Sequence, residues 1–296
     1  MKALAARGDR VRVVDDLSSG YQSNIEGVEG VALSIRDITT PGSCDDLMEG
    51  VDAVFHLAAS VGNKRTIDNP LRDSEINVMG TLRLLEAARR SGVKKVVVSS
   101  SAGIFGELVT MPIAEEHPLE PDTPYGASKL CQEKHALAYA KLYGIDVVCL
   151  RYFNIYGVNQ RFDEYGNVIP IFAFKMLREE PITIFGDGEQ TRDFLNVRDV
   201  VQANLRAAEV ENASGAYNLG CGDRVSINHL VSLLEEASGL RAMVEHGPER
   251  PGDVRHSMAA IDKARSRLGF EPEVDLREGL AEYFAWARTA QSSQSG

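Results

Sequence analysis

Tyr125 and Lys129 stand four positions apart in Tyr125-Gly-Ala-Ser-Lys129, a spacing that puts a phenol and an ammonium on one face of a helix. A cation beside a phenol favours the phenolate, so the expected result is a Tyr125 pKa lowered from about 10 toward neutrality and a tyrosinate usable as a base. By itself this pair is a common coincidence on solvated helices. What precedes it adds weight. Val96-Val-Val-Ser-Ser-Ser101 reads as a buried strand ending in hydroxyls, so Ser101 can sit at the strand tip near Tyr125 and hydrogen-bond a reacting oxygen. Three serines in a row also suit a plain polar strand end. In Phe55-His-Leu-Ala-Ala59, His56 reads as a packed strand residue, and the small residues after it permit close approach of a flat ligand.

These side chains need a scaffold. Short β-branched runs alternate with longer helical patterns, which indicates an α/β fold whose parallel sheet is covered on both faces. Strands are expected at 10–15, 31–34, 53–57, 95–100 and 146–152, with helices at 80–91 and 125–143, each followed by a glycine stop. After about residue 153 the alternation gives way to Gly- and Pro-containing segments between shorter helices. The expected organisation is a dinucleotide-binding domain over 1–153, a smaller mixed substrate lobe over 154–290 with crossing of the chain allowed, and a polar tail over 291–296.

In dinucleotide folds an acid about 20 residues after a glycine-rich turn holds the adenosine ribose. Asp15, followed by Asp16, ends the run Val11-Arg-Val-Val-Asp15 and suits that role. Counting back passes Met1, and no GxGxxG occurs elsewhere. The first strand and its glycine turn are therefore expected to lie before Met1, with residues 1–8 reading as the end of a helix.

A net charge of -11 disfavours general binding to nucleic acid or anionic membrane. No run approaches the roughly 20 apolar residues of a membrane span. Cys44, Cys131, Cys149 and Cys221 are scattered without a CxxC pair, so neither a metal site nor a disulfide framework is expected, and the thiols suit a reducing cytoplasm.

Several motifs lie in order along the chain: Asp15, Asp37-Ile38, His56-Leu-Ala-Ala59, Asn77-Val-Met-Gly-Thr81, Ser99-Ser-Ser101, Tyr125 to Lys129, Arg151-Tyr-Phe-Asn154, Arg192-Asp-Phe194, Tyr217-Asn-Leu-Gly220 and Arg250-Pro-Gly-Asp253. This set resembles the extended short-chain dehydrogenase/reductase family, and within it the UDP-glucose 4-epimerase-like nucleotide-sugar epimerases. The resemblance implies a Rossmann-type doubly wound parallel sheet, here without its first strand. It implies NAD as cofactor and a UDP-sugar as substrate, with Tyr125 as base, Lys129 on the nicotinamide ribose and Ser101 on the sugar 4-oxygen. Asp15, Asp16, Asp37, Ile38, Leu57, Ala58, Ala59, Asn77 and Phe153 would line the cofactor. Asn154, Arg192, Arg250, Asp253 and Ser257 would face the nucleotide sugar.

The reaction so implied is epimerisation at C4 of a UDP-hexose through a transient 4-keto sugar. Related dehydratases carry an acidic pair where this chain has Ala102-Gly103, which removes the obvious acid and base for eliminating water. Ser257 falls where related epimerases gate the sugar pocket, and its small side chain leaves room for a 2-acetamido group. Other readings are a decarboxylase, reductase or uronate epimerase of the same family, or a sugar-nucleotide-binding relative without catalysis. A homodimer is expected from the resemblance, and weak NAD retention from the absent glycine turn.

Overall fold

The β-branched runs become strands where the sequence places them: β1 (Val11–Asp15), β2 (Val31–Ile35), β3 (Ala53–His56), β4 (Lys95–Ser101) and β5 (Asp146–Tyr152). They are followed by β6 (Asn154–Tyr156), β7 (Ile182–Phe185), β8 (Thr191–Arg192), β9 (Phe194–Asn196) and β10 (Gly215–Leu219). The computed structural model describes residues 1–160, 162, 163, 166–249 and 254–294.

The helices begin with α1 (Lys2–Ala6), which ends before Gly8 at φ +86°, in keeping with the expected helix end. Next come α2 (Asn63–Asp68), α3 (Pro70–Ser74) and α4 (Thr81–Arg90), the last two joined without a break by a π-helical turn over Glu75–Gly80. Gly80 packs closely on the core: a Cβ at that position would lie 2.7 Å from the Ile38 Cδ1 atom, and the isoleucine side chain would have to shift. The helix α5 (Pro124–Tyr143) starts with Thr123 accepting the Gly126 N–H and with proline in its first turn, and it stops at left-handed Gly144. This start places Tyr125 in the first turn and Lys129 one turn later.

Hydrogen-bonded strands form a four-stranded sheet in the order β10–β5–β4–β3 and a separate parallel pair β1–β2, registered Val11 on Val31 through Asp15 on Ile35. The single sheet expected from the sequence is thus two ladders, and among the described residues none joins β1 to β3. Burial follows the division. Val96, Val97 and Val98 of β4 are fully enclosed, whereas Val11, Val13 and Val14 of β1 keep partial exposure. Strands buried on both faces read as continuous apolar runs, and β4 meets this condition, as does β5 with Val147, Val148, Cys149 and Leu150 at 0% exposure.

The chain forms two compact units. The first contains Met1–Ile104, Thr123–Leu150 and Ala207–Ala216, and its core gathers Leu85, Ala88, Val96, Val98, Ala136 and Val147. The second contains Phe105–Asp122, Arg151–Arg206 and Tyr217–Gly296. Its core is formed around α6 (Val168–Leu177), α8 (Ile227–Ser238) and α10 (Leu276–Gln294), with α7 (Val197–Glu209) and α9 (Asp262–Leu268) completing the helices. One boundary near residue 153 does not describe this arrangement, because the chain passes between the units repeatedly.

Gly106, in the second unit, bridges to Glu120 with φ +69°, and a Cβ there would run into the Glu120 carbonyl oxygen. Gly106→Ala is therefore expected to destabilise the protein by more than about 2 kcal/mol, read as a fall in melting temperature. An unchanged melting temperature would refute this packing argument.

Candidate active site

In the first unit the tip of β4 and the start of α5 bring Ser101, Tyr125 and Lys129 together. Ser101 Oγ accepts the Gly103 N–H at 3.1 Å, which leaves its own hydroxyl proton to donate elsewhere. Gly103 lies beside the tyrosine: a Cβ there would stand 3.5 Å from Tyr125 Cδ1 and 3.4 Å from Ser101 Oγ. The space beside the Tyr125 ring is here bounded by the backbone of Gly103.

Burial pushes the Tyr125 phenol above its usual value, hydrogen bonding with Ser101 pulls it back, and the Asp73 carboxylate adds to the rise. The expected lowering by Lys129 is not what this geometry gives. Lys129 is 1% exposed, and its Nζ donates to the Ser99 carbonyl and lies 3.4 Å from Ser99 Oγ. Its ammonium therefore ties α5 to the end of β4. Burial lowers the Lys129 pKa to about 7, partly opposed by Cys149, Asp73 and Glu133. Spacing put both groups on one helix face but could not say which acceptor the ammonium would choose.

Beneath this pair lies a buried polar network. Asn77, fully enclosed in the π-helical turn, accepts the Ser60 N–H at 2.8 Å. Its amide nitrogen reaches Asp73 Oδ1 at 2.8 Å, Ser128 Oγ at 3.0 Å and the Ser60 carbonyl at 3.1 Å. Ser128 in turn donates to the Tyr125 carbonyl at 3.0 Å, so the network reaches the turn that carries the base. The Thr81 hydroxyl donates to the Asn77 carbonyl at 2.7 Å and accepts from Gln132 at 2.9 Å. His56 Nε2, 2.7 Å from Thr81 Oγ1, must then be the protonated nitrogen. Burial and the nearby Lys129 charge hold the His56 pKa at about 3, so it is a neutral packed residue, as its strand position suggested.

Asp73 and Gln132 were not singled out from the sequence, and Thr81 and Ser128 entered only as members of motifs, without a role of their own. The signal was present in spacing: 73, 77 and 81 lie four apart, as do 128 and 132, and each set shares a helix face.

The residues expected to hold a dinucleotide sit at strand ends. Asp15 closes β1, keeps partial exposure and accepts the Leu17 N–H at 2.7 Å; Gly20 lies against it, where a Cβ would come 3.1 Å from Oδ2. This is a carboxylate with spare acceptor capacity facing a small residue, which fits a ribose diol. Exposed Asp16 is taken up by Ser18, whose N–H lies 2.9 Å from Oδ1. Asp37 pairs with Arg72 at 2.9 Å, and Ile38 belongs to the core. After β3, Leu57 is 57% exposed, while Ala58 and Ala59 are half-buried. Asn77 is occupied by the network above. Asp15 and the residues after β3 stay open at strand ends, whereas Ile38 is buried in the core and Asn77 is enclosed and held by protein partners.

In the second unit Phe153 is buried, with its ring 6.4 Å from that of Phe105. Asn154 opens β6, and its backbone N–H and side-chain amide both donate to the Asp193 carbonyl at 3.2 Å. Arg192 lies on β8 and donates to the Thr191 carbonyl at 2.9 Å. Ser257 is 9% exposed, and its N–H reaches the same carbonyl at 3.1 Å. Three of the expected substrate residues thus meet around 191–193. Arg250 and Asp253 lie outside the described residues. Among those described, no cluster suits a metal ion, and no helix is long and apolar enough to cross a membrane.

Comparison with known proteins gives consistent likenesses. The NAD dependent epimerase/dehydratase family profile matches residues 1–220. A UDP-glucose 4-epimerase of Mycolicibacterium smegmatis is 37% identical over 285 residues, covering 94% of this chain and 90% of that protein. The solved UDP-glucose 4-epimerase of Thermotoga maritima with UDP-glucose matches with a TM-score of 0.92 at 37% identity, over 98% of this chain and 94% of the other. A UDP-N-acetylglucosamine 4-epimerase from Methanobrevibacter ruminantium, in complex with UDP-N-acetylmuramic acid, matches with a TM-score of 0.93 at 33% identity, over 98% and 93%.

Proposed function

The chain belongs to the NAD dependent epimerase/dehydratase family, and from that premise we propose that it interconverts UDP-hexoses epimeric at C4. The observation that carries this reading is the placing of Tyr125 beside Ser101, with Gly103 where an eliminating enzyme would need an acid. In this reading Tyr125 Oη takes the proton from the sugar 4-hydroxyl and later returns it. Ser101, its oxygen already accepting from Gly103, donates its hydroxyl proton toward the sugar 4-oxygen. Bound NAD supplies the capacity to accept and return the C4 hydride. Lys129 holds the nicotinamide ribose, while Asp15 and Asp16 hold the adenosine ribose, with Asp37, Ile38, Leu57, Ala58, Ala59, Asn77 and Phe153 around the cofactor. Asn154 and Arg192, with Arg250 and Asp253, bind the diphosphate and uridine, since guanidinium groups pair well with phosphate oxygens.

The small side chain of Ser257 supports acceptance of N-acetylated UDP-hexoses beside the plain ones, and the likeness to a UDP-N-acetylglucosamine 4-epimerase agrees with it. A homodimeric state is carried over from the family resemblance, and a cytoplasmic setting follows the reading of the four cysteines as free thiols.

The test is to incubate the purified chain with UDP-glucose and added NAD while following UDP-galactose by chromatography and NADH by absorbance. UDP-galactose formed without net NADH is the expected result. Stoichiometric NADH, decarboxylation of UDP-glucuronate, or no turnover with saturating NAD would each overturn the reading.

A further inference from the structure

We propose that Asp193 is a positioning residue that sets the Ser257 segment against Asn154 and Arg192, and so helps determine which hexose the second unit admits. The inference rests on the UDP-hexose reading above. Asp193 is 0% exposed, yet it carries a carboxylate. Its Oδ1 accepts the Cys221 N–H at 2.7 Å, and its Oδ2 accepts those of Gly222 at 3.2 Å and Ala259 at 3.0 Å. Its own carbonyl receives both donors of Asn154.

Each partner belongs to a different stretch of chain. Cys221 and Gly222 follow β10, Ala259 stands two residues beyond Ser257, and Asn154 opens β6. Asp193 itself follows Arg192. The Asp193 carboxylate therefore clasps the segment that carries Ser257 to the turn after β10, while the main-chain carbonyl of the same residue holds the backbone and side-chain amide of Asn154.

The surroundings are shaped to the carboxylate. A Cβ on Gly220 would overlap Asp193 Oδ2 and come 2.8 Å from the Ala259 Cβ, so glycine at 220 leaves room for the clasp. Burial pushes the Asp193 pKa up to about 6 even though the N–H groups of Ala259, Cys221 and Gly222 pull it down. An asparagine cannot replace it in kind. It offers one oxygen, so either the Cys221 donor or the Gly222 and Ala259 pair would face an amide N–H and go unsatisfied.

The experiment measures binding alone and needs neither turnover nor nicotinamide. Affinities for UDP, UDP-galactose and UDP-N-acetylgalactosamine are determined by calorimetry for the unaltered chain, Asp193→Asn and Gly220→Ala. Both variants are expected to shift the ratio of the two UDP-sugar Kd values by about fivefold or more, the scale of one unsatisfied buried donor. Any change in the binding of the shared UDP moiety, read from the Kd for UDP, cancels in that ratio. Parallel weakening of all three ligands, or unchanged ratios in folded variants, would overturn the inference. Should either variant fail to fold, amide exchange in the unaltered chain decides. UDP-galactose is expected to slow exchange at Cys221, Gly222 and Ala259 more than UDP does, and equal protection would overturn the proposal. Failure of the unaltered chain to bind any UDP-sugar would instead remove the UDP-hexose reading, and the inference with it.

Discussion

Tyr125→Phe is expected to lower kcat for UDP-glucose and UDP-galactose interconversion by about 10²–10⁴-fold, the range for removing a positioned acid–base group, while Kd for UDP-sugars stays nearly constant. The substitution deletes one oxygen and leaves the ring that packs beside Gly103. Folding and cofactor capture should therefore survive. Loss of turnover with retained binding assigns the proton transfer to Tyr125 Oη. A variant retaining most of its kcat would show that another group moves the proton and would remove the central element of the proposed chemistry. Burial raises this phenol, and the hydrogen bond with Ser101 is what opposes the rise.

Lys129→Met is expected to reduce turnover by about 10²-fold or more and, at neutral pH, to stabilise the fold. The sign follows from proton binding. In the unfolded chain the amine has its ordinary pKa of 10.5, and burial lowers it to about 7 in the fold. Between those values the unfolded chain binds more protons, so stability rises with pH from about 7 to 10.5, and the cost of the buried ammonium is complete below about 7. Methionine removes that cost and leaves the Ser99 carbonyl without its donor, a loss of about 1 kcal/mol against several for a buried ion. The melting temperature of the variant should exceed that of the unaltered chain at pH 7, with the difference shrinking toward pH 10. A difference that widens with rising pH would contradict the burial argument. The same titration predicts that kcat/KM of the unaltered enzyme declines above about pH 7 as the ammonium is lost.

The strands of the first unit were legible because β-branched runs such as Val96-Val-Val98 have little other use than a buried strand. The span of α5 was equally plain, fixed by Thr123 and Pro124 at one end and Gly144 at the other. The π-helical turn over Glu75–Gly80 was not legible, since the helix expected from the sequence began at Gly80 and no residue type in 75–80 marks a wider turn. Tyr125, Ser101 and Lys129 were found by type and spacing, but the acceptor of the lysine was not, because a helix face does not name its neighbour. Asp193 accepts from residues 28, 29 and 66 positions away, contacts that only the folded chain brings about. The separation of β1–β2 from the larger sheet likewise depends on strand pairing, which strand propensity does not encode.

The interleaving of the two units along the chain governs how this protein can be varied. Residues 105–122 interrupt one unit to serve the other, and 207–216 do the reverse, so neither unit is a continuous stretch of sequence. No single cut releases a free-standing half, and no simple recombination can graft the second unit of one relative onto the first unit of another. New specificities in such a chain must arise by substitution in place, with both units inherited together.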